Sequence, residues 1–192
     1  MEPEPYRRFN RWLEQARRAK QTNAEAMALA TAGADGRISV RFVLLKDCGP
    51  RGFVFYTDVR SKKGRELRQH PQASLAIYWT STLKQVRITG TVEPVSDLEA
   101  DAYWATRPRG SRLSASVSRQ SAHLASRKQL VDAVASFRRR LKGQELPRPD
   151  YWRGFRLVPD EIEFWTQSPA RLHRRELFLR AGKRWKRTLL QP

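Results

Sequence analysis

The apolar residues near the start of this 192-residue chain follow a helical spacing. Phe9, Trp12, Leu13 and Ala16 recur every three or four residues, which places them on one face of a helix with arginines opposite. This pattern predicts a helix from Tyr6 to Lys20.

Most of the remaining chain shows the two-residue period of β-strands, interrupted by short turns. The segment Gly33-Ala34-Asp35-Gly36 separates two apolar runs and is typical of a hairpin turn. Residues 84–93 alternate cleanly, with Val86, Ile88 and Val92 on one face. The predicted strands are 26–32, 38–46, 53–57, 73–79, 84–93, 154–158, 161–166, 172–180 and 184–190.

Three further helices are predicted between these strands. One runs from Ser61 to Gln69, where His70-Pro71 ends it. A second begins at the capping box of Ser96 and Glu99 and is closed by Pro108, and a third covers 122–141. Strands and helices do not alternate regularly, so we expect a mainly β, α+β fold: an antiparallel barrel with flanking helices, forming one domain over 1–192.

Composition narrows the class of protein. An apolar share of 40% is enough for a packed core, and no apolar run approaches the roughly 20 residues that cross a bilayer. The N-terminus lacks the layout of a signal peptide, and Cys48 is the only cysteine, which argues against disulfides and thiolate metal sites. We therefore expect a cytoplasmic protein that needs no metal.

The charge is strongly positive. Lys and Arg number 38 against 19 Asp and Glu, a net charge of +19. Such a balance favours polyanions or phosphorylated small molecules as partners, and a nucleic-acid-binding module is one alternative function. A general compositional bias towards arginine explains the same surplus, so each basic position must be argued separately.

Three groups of basic residues are candidate anion sites. Ser61-Lys62-Lys63 places two lysines in the first turn of a helix, which is unfavourable unless an anion binds there; a solvated turn is the alternative. Tyr103 and Arg107 are four residues apart and so share a helix face, and Ser111 follows just beyond Pro108. These three residues form either a phosphate-binding site or an ordinary helix end. Arg41 and Lys46 flank an apolar run that we expect to be a buried strand, and they leave it on opposite faces, either to meet two neighbouring ligands or to reach solvent.

A fourth group lies near the C-terminus. Arg171, His173 and Arg175 alternate along a predicted strand and so project from one face, close to the flat ring of Trp165. Cations this close repel one another unless an anion lies between them. A lone histidine is more often structural than catalytic. For His173, only the arrangement with its basic and aromatic neighbours favours a functional role.

In order along the chain, these segments resemble the pyridoxamine/pyridoxine 5′-phosphate oxidase family. The matching motifs are Arg41-Phe-Val-Leu-Leu-Lys46, Phe55-Tyr56-Thr57, Ser61-Lys62-Lys63, Gln85-Val86, Tyr103-x3-Arg107-Pro108-Arg109-x-Ser111, Ser118-Arg119-Gln120-Ser121, Tyr151-Trp152-x-Gly154-Phe155-Arg156 and Glu163-Phe164-Trp165-x5-Arg171-Leu172-His173-x-Arg175. The last of these is the most specific.

The resemblance implies an FMN-binding split β-barrel that works as a homodimer with FMN at the interface. It implies oxidation of pyridoxamine or pyridoxine 5′-phosphate to pyridoxal 5′-phosphate by dioxygen, releasing hydrogen peroxide. The hydride would pass from C4′ of the substrate to N5 of the flavin. The FMN contacts would be Arg41, Phe42, Val43, Leu44, Leu45, Lys46, Tyr56, Thr57, Lys62, Lys63, Gln85, Gln120, Ser121, Trp165 and Arg175.

The substrate contacts implied by the same resemblance are Lys46, Tyr103, Arg107 and Ser111 for the phosphate, and Arg171, Leu172 and His173 for the ring. Arg171 and His173 are the candidate catalytic residues, as groups that orient the ring. The chain departs from the family pattern at Lys62, Ser114, Ser116 and Arg174, and it begins close to the first helix, so a lid from a longer N-terminal arm is in doubt. A related split-barrel oxidase of phenazine biosynthesis remains the nearest alternative.

Overall fold

A computed structural model describes residues 3–192, and residues 1 and 2 of the predicted domain lie outside that range. The chain forms five helices and nine strands over the described residues. The helices are α1 (Glu4–Arg18), α2 (Lys62–Gln69), α3 (Asp97–Thr106), α4 (Arg109–Val117) and α5 (Arg127–Arg140). The strands are β1 (Ala26–Ala32), β2 (Ile38–Leu44), β3 (Asp47–Gly49), β4 (Gly52–Asp58), β5 (Gln72–Trp79), β6 (Lys84–Pro94), β7 (Trp152–Thr166), β8 (Arg174–Ala181) and β9 (Arg184–Leu190).

All strands belong to one antiparallel sheet in the order β2-β1-β5-β6-β7-β4-β3. The long strand β7 pairs with β6 along one edge. Along its other edge, β7 pairs with β4 through its first half and with β8 through its second half, and β9 continues from β8. This arrangement confirms the predicted antiparallel architecture with flanking helices.

The strand β7 is one continuous element where the sequence predicted two. Pro159 lies in the gap between the predicted strands 154–158 and 161–166, and in the structure it is opposite Gly90, where the pairing of β6 and β7 shifts register. A Cβ atom on Gly90 would meet the Cα atom of Pro159 at 2.7 Å, so only glycine allows this close approach. The bulge accommodates the proline, because the ladder is interrupted there and a residue without a backbone N–H is tolerated.

The N-terminal helix supplies much of the core. Its apolar face is buried as the spacing predicted, with Phe9 edge-on to Phe53 at 4.9 Å and Trp12 edge-on to Phe164 at 5.0 Å. Edge-to-face contacts of this kind stabilise aromatic pairs beyond their buried area. The helix therefore fixes the inner face of the sheet, and the opposite face carries part of the candidate site.

One helix begins later than the sequence predicted, and one helix was not predicted at all. The predicted helix 122–141 begins only at Arg127 in the structure, as α5. The side chain of Ser126 caps it there by accepting a hydrogen bond from the backbone N–H of Gln129. The segment that carries Ser111, for which no helix was predicted, forms α4. Its glycine and serines hide the helical signal, and burial of Leu113 against Trp104 and Trp152 stabilises the helix.

Over residues 3–192, none of the helices combines the length and the apolar character that crossing a membrane requires.

Candidate functional site

Lys46, Tyr103, Arg107 and Ser111 line one cavity of about 330 Å³, which we call the Arg107 cavity. The residues come from the segment after β2, from the end of α3 and from α4. The Lys46 ammonium nitrogen lies 5.6 Å from the centre of the Tyr103 ring, within range of a cation–π contact. The structure therefore brings together the whole group of residues expected to hold the substrate phosphate.

Arg107 is the best-defined member of this group. It follows α3 as the C-cap, and its Nη2 atom donates a long hydrogen bond of 3.5 Å to the carbonyl oxygen of Ser111. Its Nη1 atom is buried without a hydrogen-bond partner among the described residues. Burial lowers the pKa of the guanidinium. A buried, unsatisfied cationic donor is costly, and an anion entering the cavity would remove that cost.

A second cationic group lies at the start of α2, where Ser61 caps the helix by accepting from the backbone of Gly64. The Lys63 ammonium is buried and donates to Gln120 Oε1 at 2.8 Å and to Thr57 Oγ1 at 3.2 Å. Burial, assisted by the charge of Arg41, lowers the pKa of Lys63 to about 8. The solvated-turn alternative is wrong for Lys63, because its side chain points inwards.

Lys62 differs from its neighbour. Its side chain is exposed, while its backbone N–H donates to Ser121 Oγ at 3.2 Å. Four of the residues that the resemblance assigns to FMN, namely Thr57, Lys63, Gln120 and Ser121, therefore meet at the first turn of α2. Thr57 and Gln120 also line a second cavity of about 470 Å³, which we call the Gln120 cavity. Four residues line both this cavity and the Arg107 cavity: Tyr56, Arg107, Ser111 and Trp152.

The predicted buried strand between Arg41 and Lys46 is wrong in detail. The strand β2 ends at Leu44, and its side chains alternate, with Phe42 76% and Leu44 47% exposed. Val43 packs partly against the core, and Leu45, beyond the strand, is buried. One face of β2 is thus open, because nothing among residues 3–192 covers it.

Arg41 points into the protein and is held there by an acidic partner. Its guanidinium forms an ion pair with Glu66 at 3.1 Å and also contacts the hydroxyl groups of Thr31 and Ser39. Burial alone would raise the pKa of Glu66, but hydrogen bonds from Thr31 and Ser39 and the charge of Arg41 bring it below its usual value. Glu66 therefore fixes the orientation of Arg41 beside Lys63.

A third group lies on the outer face of the sheet. Tyr78, Gln85, Trp165 and Arg175 are directly opposite one another on β5, β6, β7 and β8 and so share one face; we call them the Trp165 row. Arg175 is held by Glu163 through contacts of 2.7 and 3.2 Å. The structure thus places Gln85, Trp165 and Arg175 next to one another on adjacent strands.

The expected alternation of Arg171, His173 and Arg175 along one strand is wrong, because β8 begins only at Arg174. Arg171 ends a 3-10 turn that starts at Pro169, and its backbone is left-handed with φ 60°. Proline at the start and this left-handed residue at the end favour a turn over a strand.

His173 nevertheless faces the Trp165 row. Its ring centre lies 4.6 Å from that of Trp165, and its Nδ1 atom accepts a hydrogen bond of 3.3 Å from the backbone N–H of Ser168. A ring nitrogen that accepts a hydrogen bond carries no proton, so Nε2 is the protonated nitrogen of the neutral ring. His173 can then donate a hydrogen bond from Nε2.

Within one chain, the predicted site residues lie in two separate regions, one around the Arg107 and Gln120 cavities and one around the Trp165 row. Tyr56 pairs with Gly154 near the start of β7, and Gln85 pairs with Trp165 near its end. Gly154 and Trp165 are eleven positions apart along the extended strand, a path of roughly 35 Å at about 3.3 Å per residue. A single chain therefore does not bring the Arg107 cavity and the Trp165 row together.

Three residues beside the site carry contacts that the sequence analysis did not assign: Glu66, Glu163 and Trp152. Glu66 and Glu163 hold Arg41 and Arg175, and Trp152 lines both cavities. Glu163 had a sequence signal, because a carboxylate between Ile162 and Phe164 on a buried strand needs a cationic partner. The pairing of Glu66 with Arg41, 25 positions apart, had none.

Comparison with solved structures identifies the class of fold. The chain superimposes on PhzG from Burkholderia lata 383, solved in complex with tetrahydrophenazine-1-carboxylic acid, with a TM-score of 0.93, 41% identity and coverage of 98% of this chain and 93% of that one. It also superimposes on a pyridoxamine 5′-phosphate oxidase-related, FMN-binding protein from Nostoc punctiforme PCC 73102, with a TM-score of 0.82, 18% identity and full coverage of both chains. The fold is the split barrel of FMN-binding proteins.

Sequence comparison identifies the family. A profile described as pyridoxamine 5′-phosphate oxidase matches residues 13–140, and one described as the pyridoxine 5′-phosphate oxidase C-terminal dimerisation region matches 152–192. A pyridoxine/pyridoxamine 5′-phosphate oxidase of Myxococcus xanthus strain DK1622 is 49% identical over 99% of this chain and 92% of its own, and one of Rubrobacter xylanophilus is 48% identical over 100% and 88%. The chain belongs to the pyridoxamine 5′-phosphate oxidase family.

Proposed function

We propose that this protein is an FMN-dependent oxidase that converts pyridoxamine 5′-phosphate and pyridoxine 5′-phosphate to pyridoxal 5′-phosphate. Dioxygen is the electron acceptor and hydrogen peroxide the by-product. The names of relatives 48–49% identical over nearly the whole chain support this function.

The single observation that carries the proposal is the Arg107 cavity. It combines the Lys46 ammonium, the Tyr103 phenol and the Ser111 hydroxyl with a buried Arg107 nitrogen that has no partner among residues 3–192. Two cations and two hydroxyl groups suit a phosphate ester, whose oxygens accept several charge-assisted hydrogen bonds. Such a set gives affinity for the phosphorylated vitamers over their unphosphorylated forms.

The second cationic group fits the phosphate of FMN. Lys63 is buried with a lowered pKa, and the nearby Ser121, Gln120 and Thr57 supply hydroxyl and amide groups. When bound, FMN supplies the redox chemistry, because its ring accepts a hydride and passes the electrons to dioxygen. The protein's own groups bind and orient the two ligands, and His173 offers an Nε2 proton as a hydrogen-bond donor.

A homodimer completes the site in this proposal. The Arg107 cavity and the Trp165 row are far apart in one chain, so a second copy must contribute one of them. The open face of β2, with Ile38, Val40 and Phe42 each more than 60% exposed, is available for that contact. The match of 152–192 to a dimerisation region supports the same assembly.

One experiment tests the function directly. The purified protein should be yellow, release FMN on denaturation, and form pyridoxal 5′-phosphate and peroxide from pyridoxamine 5′-phosphate in air. A colourless protein that also fails to take up added FMN would contradict the proposal.

A second candidate is an oxidase of the phenazine type, which the similarity to PhzG from Burkholderia lata favours. The same assay separates the two candidates. A flavoprotein that is inactive towards both phosphorylated vitamers but oxidises reduced phenazine carboxylic acids supports the second.

A further inference from the structure

Three aromatic rings form a stack beneath the two cavities. Tyr56 lies between Tyr103, at 4.3 Å and an interplanar angle of 21°, and Trp152, at 4.9 Å and 8°. Trp152 is the first residue of β7 and is 6% exposed, so its ring is held by the sheet. The sequence motif contained Trp152, and neither proposed ligand accounts for it.

The same indole ring supports the Arg107 guanidinium. The Arg107 Cζ atom lies 4.7 Å from the centre of the Trp152 ring and 5.2 Å from that of Trp104. Both distances are within the 6 Å range of a cation–π contact, and tryptophan is the strongest partner for one. The ring faces hold the cation without using its N–H groups, so Nη1 stays available to a ligand.

Trp152 also connects the two cavities, because it lines both of them together with Tyr56, Arg107 and Ser111. Residues assigned to FMN and residues assigned to the substrate phosphate therefore rest on one ring. Displacing that ring would release Arg107 on one side and Tyr56 on the other.

We propose that Trp152 is a positioning residue for phosphorylated substrates, acting through Arg107; this inference rests on the proposed function of the Arg107 cavity. The ring fixes the guanidinium in the orientation that meets the phosphate and lowers the entropy that a free arginine would lose on binding. The alternative is that Trp152 only fills the small core formed with Trp104, Leu113 and Leu146. Core filling alone predicts lost stability with no dependence on Arg107.

A double-mutant cycle separates these two roles. The holoenzyme and the variants Trp152→Leu, Arg107→Ala and the double variant are titrated calorimetrically with 4-deoxypyridoxine 5′-phosphate, whose C4′ is a methyl group without the hydroxyl or amine that is oxidised. We expect Trp152→Leu to weaken binding roughly 5- to 30-fold, the range of a desolvated cation–π contact. In the Arg107→Ala background the same change should weaken binding less than about 2-fold, since non-additivity measures coupling.

Two controls complete the test. Trp152→Phe keeps a flat ring and should lose only about 2- to 3-fold, again only when Arg107 is present; this cycle decides the question if Trp152→Leu does not fold. Trp185→Leu, at a tryptophan that packs edge-on against Tyr6 at 6.0 Å, should leave binding unchanged. Unphosphorylated 4-deoxypyridoxine should bind wild type and Trp152→Leu alike.

Equal weakening in both Arg107 backgrounds, or no weakening at all, would overturn the inference. Because the ligand is not oxidised, binding is measured independently of turnover. If the wild-type protein binds the ligand in an Arg107-dependent way but oxidises neither vitamer, the proposed function is contradicted. The double-mutant cycle still decides the role of Trp152 in that case.

Discussion

The Lys63 ammonium donates a hydrogen bond of 2.8 Å to Oε1 of Gln120, although the two residues are 57 positions apart. The contact joins the first turn of α2 to the segment that follows α4. This hydrogen bond replaces only part of the water that would surround an exposed ammonium group. The pKa of Lys63 therefore falls to about 8, first because the group is buried and second because of the charge of Arg41. The lysine is a cation that an incoming phosphate would stabilise.

The first prediction follows from this pKa. If the FMN phosphate binds beside Lys63, the affinity for FMN should fall as the pH rises above 8, by at most about tenfold per pH unit, because the free protein then loses the proton that the complex keeps. The dissociation constant can be measured by quenching of flavin fluorescence between pH 7 and 9.5. Lys63→Met should bind FMN more weakly at pH 7 and without this slope; an unchanged slope would contradict the assignment.

The same pKa affects the stability of the protein without FMN. The pKa is lowered from 10.5 to about 8, so the unfolded chain binds more protons than the folded one between these values. Stability contributed by this group is therefore reduced below pH 8 and regained as the pH rises towards 10.5. Thermal unfolding of the flavin-free protein across this window provides an independent check.

The second prediction concerns Gly154, which pairs with Tyr56 across β4 and β7. A Cβ atom at this position would lie 2.6 Å from Cε1 of Tyr56, so Gly154→Ala should displace that ring. We expect a loss of roughly 1–3 kcal/mol in stability from overpacking, with weaker binding of FMN. Gly49→Ala is the matched control, because a Cβ atom there meets nothing within 4 Å. Equal melting temperatures for the two variants would contradict the expectation.

The third prediction concerns Glu176, a buried carboxylate that joins α1 to β8. It forms ion pairs of 3.0 Å with both Arg8 and Arg174, so Arg174 is paired and does not simply add positive charge. Burial alone would raise the pKa of Glu176, but Arg8 and Arg174 bring it below its usual value. Glu176→Gln should destabilise the fold by roughly 3 kcal/mol in urea unfolding at pH 7.

The pH dependence of this effect has a defined sign. Since the pKa is lowered in the folded state, the stabilisation is present above the unfolded pKa and is lost as the pH falls through the folded value. The difference between wild type and Glu176→Gln should therefore shrink in acid. Glu14→Gln, which breaks an exposed pair with Arg18, should change stability by less than about 0.5 kcal/mol.

The fourth prediction tests the proposed dimer. Val40 lies on the open face of β2 and is 64% exposed in one chain, although it is apolar. Val40→Asp should yield a monomer in light scattering and lose FMN with it, because burying an unpaired carboxylate at an interface is costly. Leu98→Asp, at an 81% exposed position on α3, should remain dimeric. A Val40→Asp variant that stays dimeric would show that another face forms the contact.

Several parts of the molecule could be predicted from sequence because they depend on local chemistry. The apolar face of α1, the capping box of Ser96 and Glu99 and the turn between β1 and β2 are set by residues close together in the chain. The grouping of Lys46, Tyr103, Arg107 and Ser111 was predicted from the resemblance, and the Arg107 cavity brings these residues together.

Other parts depend on contacts between distant residues, which local pattern does not encode. Helix α4 forms against Trp104 and Trp152, β7 continues through Pro159 because Gly90 lies opposite, and Arg41 is oriented by Glu66. These features arise because buried apolar surface must be packed and buried charges must be paired, and the tertiary fold determines which residues are close enough to do so.

The sequence by itself determined most of the strands and helices, the family resemblance and the types of residue that suit two phosphates. Only the tertiary structure decided which of those residues are neighbours. It joined Lys63 to Gln120 and Arg107 to Trp152, moved Arg171 from a strand to a turn, and left the Trp165 row at the far end of β7. The physical reason is that local periodicity sets the direction of a side chain, whereas packing and the pairing of buried charges set its neighbours.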